Sequence, residues 1–164
     1  MEANALTIRE GNKEDLPAIL SLIKELAEYE KAPKEVKVTV EEMEKNGFGK
    51  HPVFSFFVAE SETGIVGMAL YYTKYSTWKG PCVFLEDLIV TQSQRRNGIG
   101  TLLFERIIQM AKERNVPRLE WQVLEWNEPA INFYKKYNAN LDAEWLNGKL
   151  VYSQLQEFKA AQNL

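Results

Sequence analysis

The chain has 164 residues, 45% of them hydrophobic and 26% charged, with a formal net charge of −3. That length and mix suit one globular domain, which can bury roughly 70% of its unfolded surface. The acidic balance disfavours nucleic acid, which wants a basic face, and leaves room for a cationic small molecule.

The opening MEANALTIRE has no apolar signal core, and no run in the chain approaches the roughly 18 apolar residues of a membrane span. A cytoplasmic protein with no membrane partner is expected. Leu6-Thr7-Ile8-Arg9 alternates as a short first strand. Asn12 is placed to cap a helix with Lys13, Glu14 and Asp15 in its first turn, and Leu16, Ile19, Leu20, Ile23, Leu26 and Ala27 trace its apolar stripe. Pro33 stops this helix and leaves Tyr29 and Glu30 at its carboxyl end. A glutamate is locally unfavourable there, because the helix dipole is negative at that end. It is either solvated or faces a cation.

Thr39-Val40-Glu41-Glu42 has the capping-box spacing of a second helix, which Asn46-Gly47-Phe48-Gly49 ends. His51, the single histidine, precedes Pro52 in a loop, so a His-based metal site or a Ser-His-Asp triad would rest on that residue alone. No metal is expected. Val53 to Glu60 and Ile65 to Tyr75 form a hairpin around Ser61-Glu62-Thr63-Gly64. The connection Thr77-Trp78-Lys79-Gly80-Pro81 leads into a central, largely buried strand from Val83 to Val90. Cys82 is the only cysteine, which rules out an intrachain disulfide.

After this strand comes Arg95-Arg96-Asn97-Gly98-Ile99-Gly100-Thr101, then a helix with Leu102, Leu103, Ile107, Met110 and Ala111 on one side. A strand that enters a helix through arginines and glycines suits phosphate. Gly98 and Gly100 carry no Cβ to keep an anion from the backbone, unpaired N–H groups open the helix, and Arg95 and Arg96 supply charge-assisted hydrogen bonds. The alternative is a flexible turn with two surface arginines. The spacing is neither G-x-x-x-x-G-K-[ST] nor a full G-x-G-x-x-G, so P-loop and dinucleotide folds are not indicated.

Val116-Pro117 breaks the pattern, and Leu119 to Leu124 supplies a fifth strand, parallel to the central one across the helix. Pro129 suits the first turn of a further helix carrying Ala130, Phe133, Tyr134 and Tyr137. On that stripe alone Tyr134 reads as a core residue. Gly148 to Leu155 alternates as a last strand, and the tail from Gln156 is polar. The whole chain, 1–164, is expected to be one domain, with a core over 5–155 and the tail over 156–164.

Five blocks in order, LIKELAEYE (22–30), NGFGKHP (46–52), FLED (84–87), RRNGIG (95–100) and EWNEPAINFYKK (125–136), resemble the GNAT N-acetyltransferases. Their branch is that of the spermidine/spermine (diamine) acetyltransferases and their thialysine-acetylating relatives. The resemblance implies a mixed α/β fold of about seven mostly antiparallel strands, splayed at the central one, with about four helices. It also implies acetyl-CoA as co-substrate, a homodimer, and a small amine as the acceptor. By the same resemblance Leu88, Ile89 and Val90 bind the pantetheine arm, and Arg95, Arg96, Asn97, Gly98, Ile99, Gly100 and Thr101 hold the pyrophosphate. Asn127, Glu128, Pro129 and Ala130 touch the cofactor again, Tyr134 is the general acid, and Tyr29, Glu30 and Glu86 meet the amine.

The chemistry fits these types. An alkylamine with a pKa of about 10.4 must lose a proton before it attacks a thioester, and the departing thiolate needs one back. Glu86, expected between Phe84 and Leu88 on one face of the strand, would attract the ammonium and relay its proton through water, and a strand N–H would polarise the carbonyl. Asn138 stands where the family has glycine, and asparagine tolerates the left-handed conformation required. Trp145 and Leu146 stand where the polyamine enzymes have an acidic pair, with Glu144 just upstream, which puts a long polyamine substrate in question. A non-catalytic acetyl-CoA-binding module and an acetyltransferase for peptide or amino-acid amines remain as alternatives.

Overall fold

The computed structural model describes residues 6–159; the expected start of the core at residue 5 and the end of the tail, 160–164, lie outside them. The chain divides into two units, Met1–Gln122 and Val123–Leu164.

The first unit holds β1 (Thr7–Glu10), α1 (Leu16–Tyr29), α2 (Val40–Phe48), β2 (Ser55–Ser61), β3 (Gly64–Ser76), β4 (Gly80–Val90), α3 (Ile99–Glu113) and β5 (Leu119–Trp121). The strands lie in sequence order in one sheet. They are antiparallel from β1 to β4, and β5 is parallel to β4. The mixed sheet is therefore as expected, with five strands among the described residues where about seven were anticipated.

Two apolar layers enclose the sheet. Leu16, Ile19 and Leu22 of α1 and Met43 of α2 form one core with Phe56, Val58, Met68, Leu70 and Ile89. The alternate residues face α3, which buries Ile99, Leu103, Phe104, Ile107, Met110 and Ala111 and carries Arg106 over the Phe57 ring at 4.4 Å. Leu102, placed on the apolar side by spacing, is 45% exposed, and Phe104 takes its place inside. α1 is ended by a turn at left-handed Lys31 (φ 62°) rather than by Pro33. Lys31 N–H donates to Glu28 O at 3.1 Å and Ala32 N–H to Ala27 O at 2.8 Å, which satisfies the last carbonyls. The Thr39 capping box forms as expected: Thr39 Oγ1 accepts from Glu42 N, and Glu42 Oε2 from Thr39 N.

The β3–β4 ladder contains the irregularity that shapes the site. Leu85 pairs with Tyr71 and Asp87 with Leu70, so Glu86 is an extra, unpaired residue in a β-bulge. Such a bulge reverses the alternation beyond it. Phe84, opposite Tyr72, and Leu88, opposite Ala69, therefore lie on opposite faces, not on one face as periodicity suggested. Pairing with β5 ends at the bulge. Pairing with β4 runs over Val83–Leu119, Phe84–Glu120 and Leu85–Trp121 and stops there, so the strand expected to reach Leu124 ends at Trp121. From Glu86 to Val90, β4 has no strand beside it on that edge among the described residues.

The second unit contains α4 (Glu128–Lys135) and α5 (Tyr152–Glu157). Asn138 adopts the left-handed conformation anticipated for it, with φ 55°. The last strand, expected from Gly148 to Leu155, does not form. No strand exists in this unit among the described residues to accept its backbone hydrogen bonds. The chain instead makes local ones, with Leu155 N–H donating to Val151 O at 3.1 Å and Val151 N–H to Gln154 Oε1 at 2.9 Å.

Candidate active site

The first part of the site is acidic. Leu70 faces α1, so its cross-strand partner Asp87 does too. The field of Glu30, the residue that caps α1, reaches Asp87 there. Burial, with the neighbouring charges of Glu86 and Glu30, pushes the Asp87 carboxyl up to about 6. Burial raises Glu30 as well. Neither Asp87 nor Glu30 makes a side-chain hydrogen bond or ion pair among the described residues. Glu86 is exposed and takes a hydrogen bond from Tyr72, whose phenol is held above its usual range by burial and then by the Glu86 charge. Tyr29, 38% exposed, closes the end of α1.

Sequence reasoning named Tyr29, Glu30 and Glu86, and the first unit carries all three beside β4 or at the end of α1. It weighed Asp87 only as half of an acidic pair with Glu86, either functional or salt-bridged, and did not name Tyr72. Asp87 was visible in the FLED block, but simple alternation drew attention to Glu86. Tyr72 depends on strand register, which a sequence does not print. Two half-buried, unpaired carboxyls and an exposed third attract an ammonium, and the raised Asp87 is poised to exchange a proton near neutrality.

The second part is the turn from β4 into α3. Beyond the bulge Leu88, Ile89 and Val90 pair with Ala69, Met68 and Gly67 on one edge only, so part of their backbone points away from the sheet. The turn then passes through two left-handed residues, Arg96 (φ 66°) and Gly98 (φ 78°). Gly98 O accepts from Leu102 N at 3.1 Å, while the N–H groups of Ile99, Gly100 and Thr101 find no acceptor among the described residues. A Cβ at Gly100 would meet only Val90 Cγ2, at 3.8 Å, which is ordinary contact. Neither fold geometry nor packing requires glycine there, and a ligand against the backbone would. These donors fit an anion at the start of a 15-residue helix.

The two arginines of the turn differ. Arg95 Nε donates to Val90 O at 2.9 Å, Arg95 Nη2 lies 3.7 Å from Glu25 Oε1, and its guanidinium covers the Tyr29 ring at 5.0 Å. Arg96 is exposed and makes no side-chain contact of these kinds among the described residues. Asn97 Nδ2 reaches Gln94 Oε1 at 3.5 Å.

In the second unit, Asn127 Oδ1 accepts from Ala130 N at 3.3 Å and so caps α4, with Glu128 and Pro129 in its first turn. The negative Glu128 suits that end of the helix. Tyr134 is 7% exposed and stands edge-on to Phe133 at 5.2 Å, so packing accounts for its ring.

Residues 16–139 match the acetyltransferase (GNAT) family. The chain is 40% identical over 140 residues to thialysine N-epsilon-acetyltransferase of Bos taurus, covering 80% of this chain and 82% of that one. It is 35% identical over 139 residues to spermidine/spermine N(1)-acetyltransferase-like protein 1 of Homo sapiens, covering 80% of this chain and 20% of that one. Among solved structures, an integron cassette protein from the mobile metagenome of V. cholerae superposes with a TM-score of 0.76 at 22% identity, covering 94% of this chain and 97% of that one. The last comparison speaks to the fold alone.

Proposed function

This chain belongs to the GNAT family and is an acetyltransferase, and on that premise we propose that it acetylates a primary amine of a small cationic substrate, using acetyl-CoA. The observation that carries the proposal is the placement of Asp87. A carboxyl held near 6 beside Glu30 and Glu86 sits on β4 where the sheet opens, three residues before the strand ends at the anion-fitting turn. At neutral pH this cluster is anionic and binds an ammonium. Its least solvated member can take the proton that the amine must lose. Glu86, held by Tyr72, adds charge and a second acceptor.

Acetyl-CoA, when bound, supplies an activated acetyl thioester. The free N–H groups of residues 99–101, Asn97, Gly98 and the Arg96 guanidinium suit its pyrophosphate, with Arg95 beside them, and the one-sided edge of Leu88, Ile89 and Val90 suits its pantetheine amides. Backbone donors on that edge would also stabilise negative charge on a carbonyl oxygen. Asn127, Glu128, Pro129 and Ala130 are assigned to the same ligand by family resemblance. So is Tyr134 as general acid, the proton donor to sulfur; the EWNEPAINFY block supports this assignment. The resemblance also supports a homodimer at work in the cytoplasm.

The test is a panel of amines incubated with acetyl-CoA, following free thiol. Short diamines and thialysine-like amines are expected to release thiol. A panel in which no primary amine does so, with the protein folded, overturns the proposal.

A further inference from the structure

The turn between β4 and α3 is held from outside itself. Glu25, in the last turns of α1, uses both carboxylate oxygens on it: Oε1 accepts from Gln92 N–H at 2.6 Å and Oε2 from the Thr91 hydroxyl at 2.9 Å. Arg95 completes the clamp. It reaches back to Val90 O at 2.9 Å, lies 3.7 Å from Glu25 Oε1, and covers Tyr29 on the same helix at 5.0 Å. We propose that Glu25 is a positioning residue for the anion-binding turn, acting through Arg95 and the Gln92 amide, and that Arg95 serves this clamp rather than holding phosphate.

The inference rests on the reading above that the turn receives the pyrophosphate of acetyl-CoA. Three physical arguments carry it. Residues 91–98 belong to no strand and contain only one short 3₁₀ turn, Gln92–Gln94, so their backbone needs outside partners to keep one shape. A carboxylate near a diphosphate repels it, so Glu25 helps binding only through the geometry it imposes. Arg95 has already committed its Nε, one terminal nitrogen and one face, whereas Arg96, one residue on, is exposed and uncommitted among the described residues. The clamp also ends on Tyr29, the neighbour of Glu30, so the turn and the acidic end of α1 share one support.

Calorimetric titration with coenzyme A at low and high salt tests this in the full chain. Glu25→Ala is expected to weaken binding by about tenfold, and Glu25→Gln, which keeps an acceptor for Gln92 N–H, to recover most of the loss. Glu25→Ala and Arg95→Ala together should cost little more than either alone. Arg96→Ala should flatten the salt dependence and Arg95→Ala should not. Unchanged or tighter binding by Glu25→Ala, the result of merely removing a negative charge, overturns the proposal. Additive losses with a flattened salt dependence in Arg95→Ala overturn it too. A second readout needs no ligand: exchange of the Gln92 amide, slow in the wild type, should speed up about tenfold in Glu25→Ala at unchanged melting temperature. If the wild type binds no coenzyme A but its Gln92 amide is protected and Glu25→Ala releases it, the acetyl-CoA reading fails while the clamp stands. An unprotected wild-type amide overturns the clamp itself.

Discussion

Asp87 pairs with Leu70 across the β3–β4 ladder, while Glu86, its neighbour in the chain, pairs with nothing. The bulge therefore sorts two adjacent acids into different environments. Glu86 is turned outward to meet Tyr72, and Asp87 is drawn onto the face that α1 covers. A carboxyl so placed has its ionised form disfavoured by burial and by two like charges, and its pH behaviour follows.

Asp87 is raised from an ordinary 3.8 to about 6, so the native state holds its proton more tightly than the unfolded chain does. Stability should rise as pH falls from 7 through about 6 towards 4, and be lost again as Asp87 ionises on the way up. Asp87→Asn should remove that dependence and raise the melting temperature at pH 7.5 but not at pH 4. The same variant should lose the limb near 6 in a profile of kcat/KM against pH. A limb that survives the substitution would assign it to another group.

Tyr134→Phe keeps the ring beside Phe133 and removes the hydroxyl. Turnover should fall by about 10²-fold or more, with coenzyme A affinity nearly unchanged. Wild-type turnover in this variant would return Tyr134 to packing alone.

Gly100→Ala separates fold from ligand. A Cβ there meets only Val90 at 3.8 Å, and alanine in place of a helical glycine should stabilise by about 0.5–1 kcal/mol. Thermal unfolding should therefore move up slightly while acetyl-CoA binding weakens. A variant that binds as the wild type does would show that the ligand does not approach this backbone.

Arg9 ties β1 to the start of α1 and to β2. Its Nη1 and Nη2 reach Asp15 at 2.8 and 2.9 Å, and its Nε reaches Glu60 at 2.7 Å. The Arg9 guanidinium holds the Asp15 carboxyl below its usual range, so this stability is present at neutral pH and is lost as pH falls below about 4. Asp15→Asn should cost about 1.5–3 kcal/mol in urea unfolding at pH 7 and much less at pH 3. Equal losses at both pH values would assign the effect to packing instead.

Substrate length is the last expectation. Glu30, Glu86 and Asp87 form one cluster, suited to one ammonium and its near surroundings. By the family resemblance Trp145 and Leu146, 80% and 95% exposed, occupy the positions of a second acidic pair in the polyamine enzymes. A distant ammonium then lacks a charge-assisted hydrogen bond worth about 1.5–3 kcal/mol, or one to two decades in affinity. Short diamines and thialysine-like amines should show higher kcat/KM than spermine, and Leu146→Glu should narrow the gap. A wild type that prefers spermine to every short amine would point to Glu144 as the distal acid.

The features legible in the sequence were those carried by local chemistry. The Thr39 capping box, the amphipathic faces of α1 and α3, the hairpin turn at Ser61–Gly64, the glycine-bearing turn into α3 and left-handed Asn138 each follow from residues within a turn or two of one another. The β4–α3–β5 order announced the parallel crossover for the same reason. What the tertiary structure decided depends on partners far away in the chain. The bulge at Glu86 exists only against Leu70 and Tyr71, so alternation within FLEDLIV put Phe84 and Leu88 on one face when they lie on two. The segment Gly148–Leu155 alternates like a strand, but a strand needs a neighbour to hydrogen-bond, and with none in its unit among the described residues part of it is a helix. Arg95 and Arg96 are the same residue type side by side in sequence. Glu25 and Tyr29, some seventy residues earlier on α1, engage the first and leave the second free of both, because side-chain commitment is set by what the fold brings within about 3–5 Å.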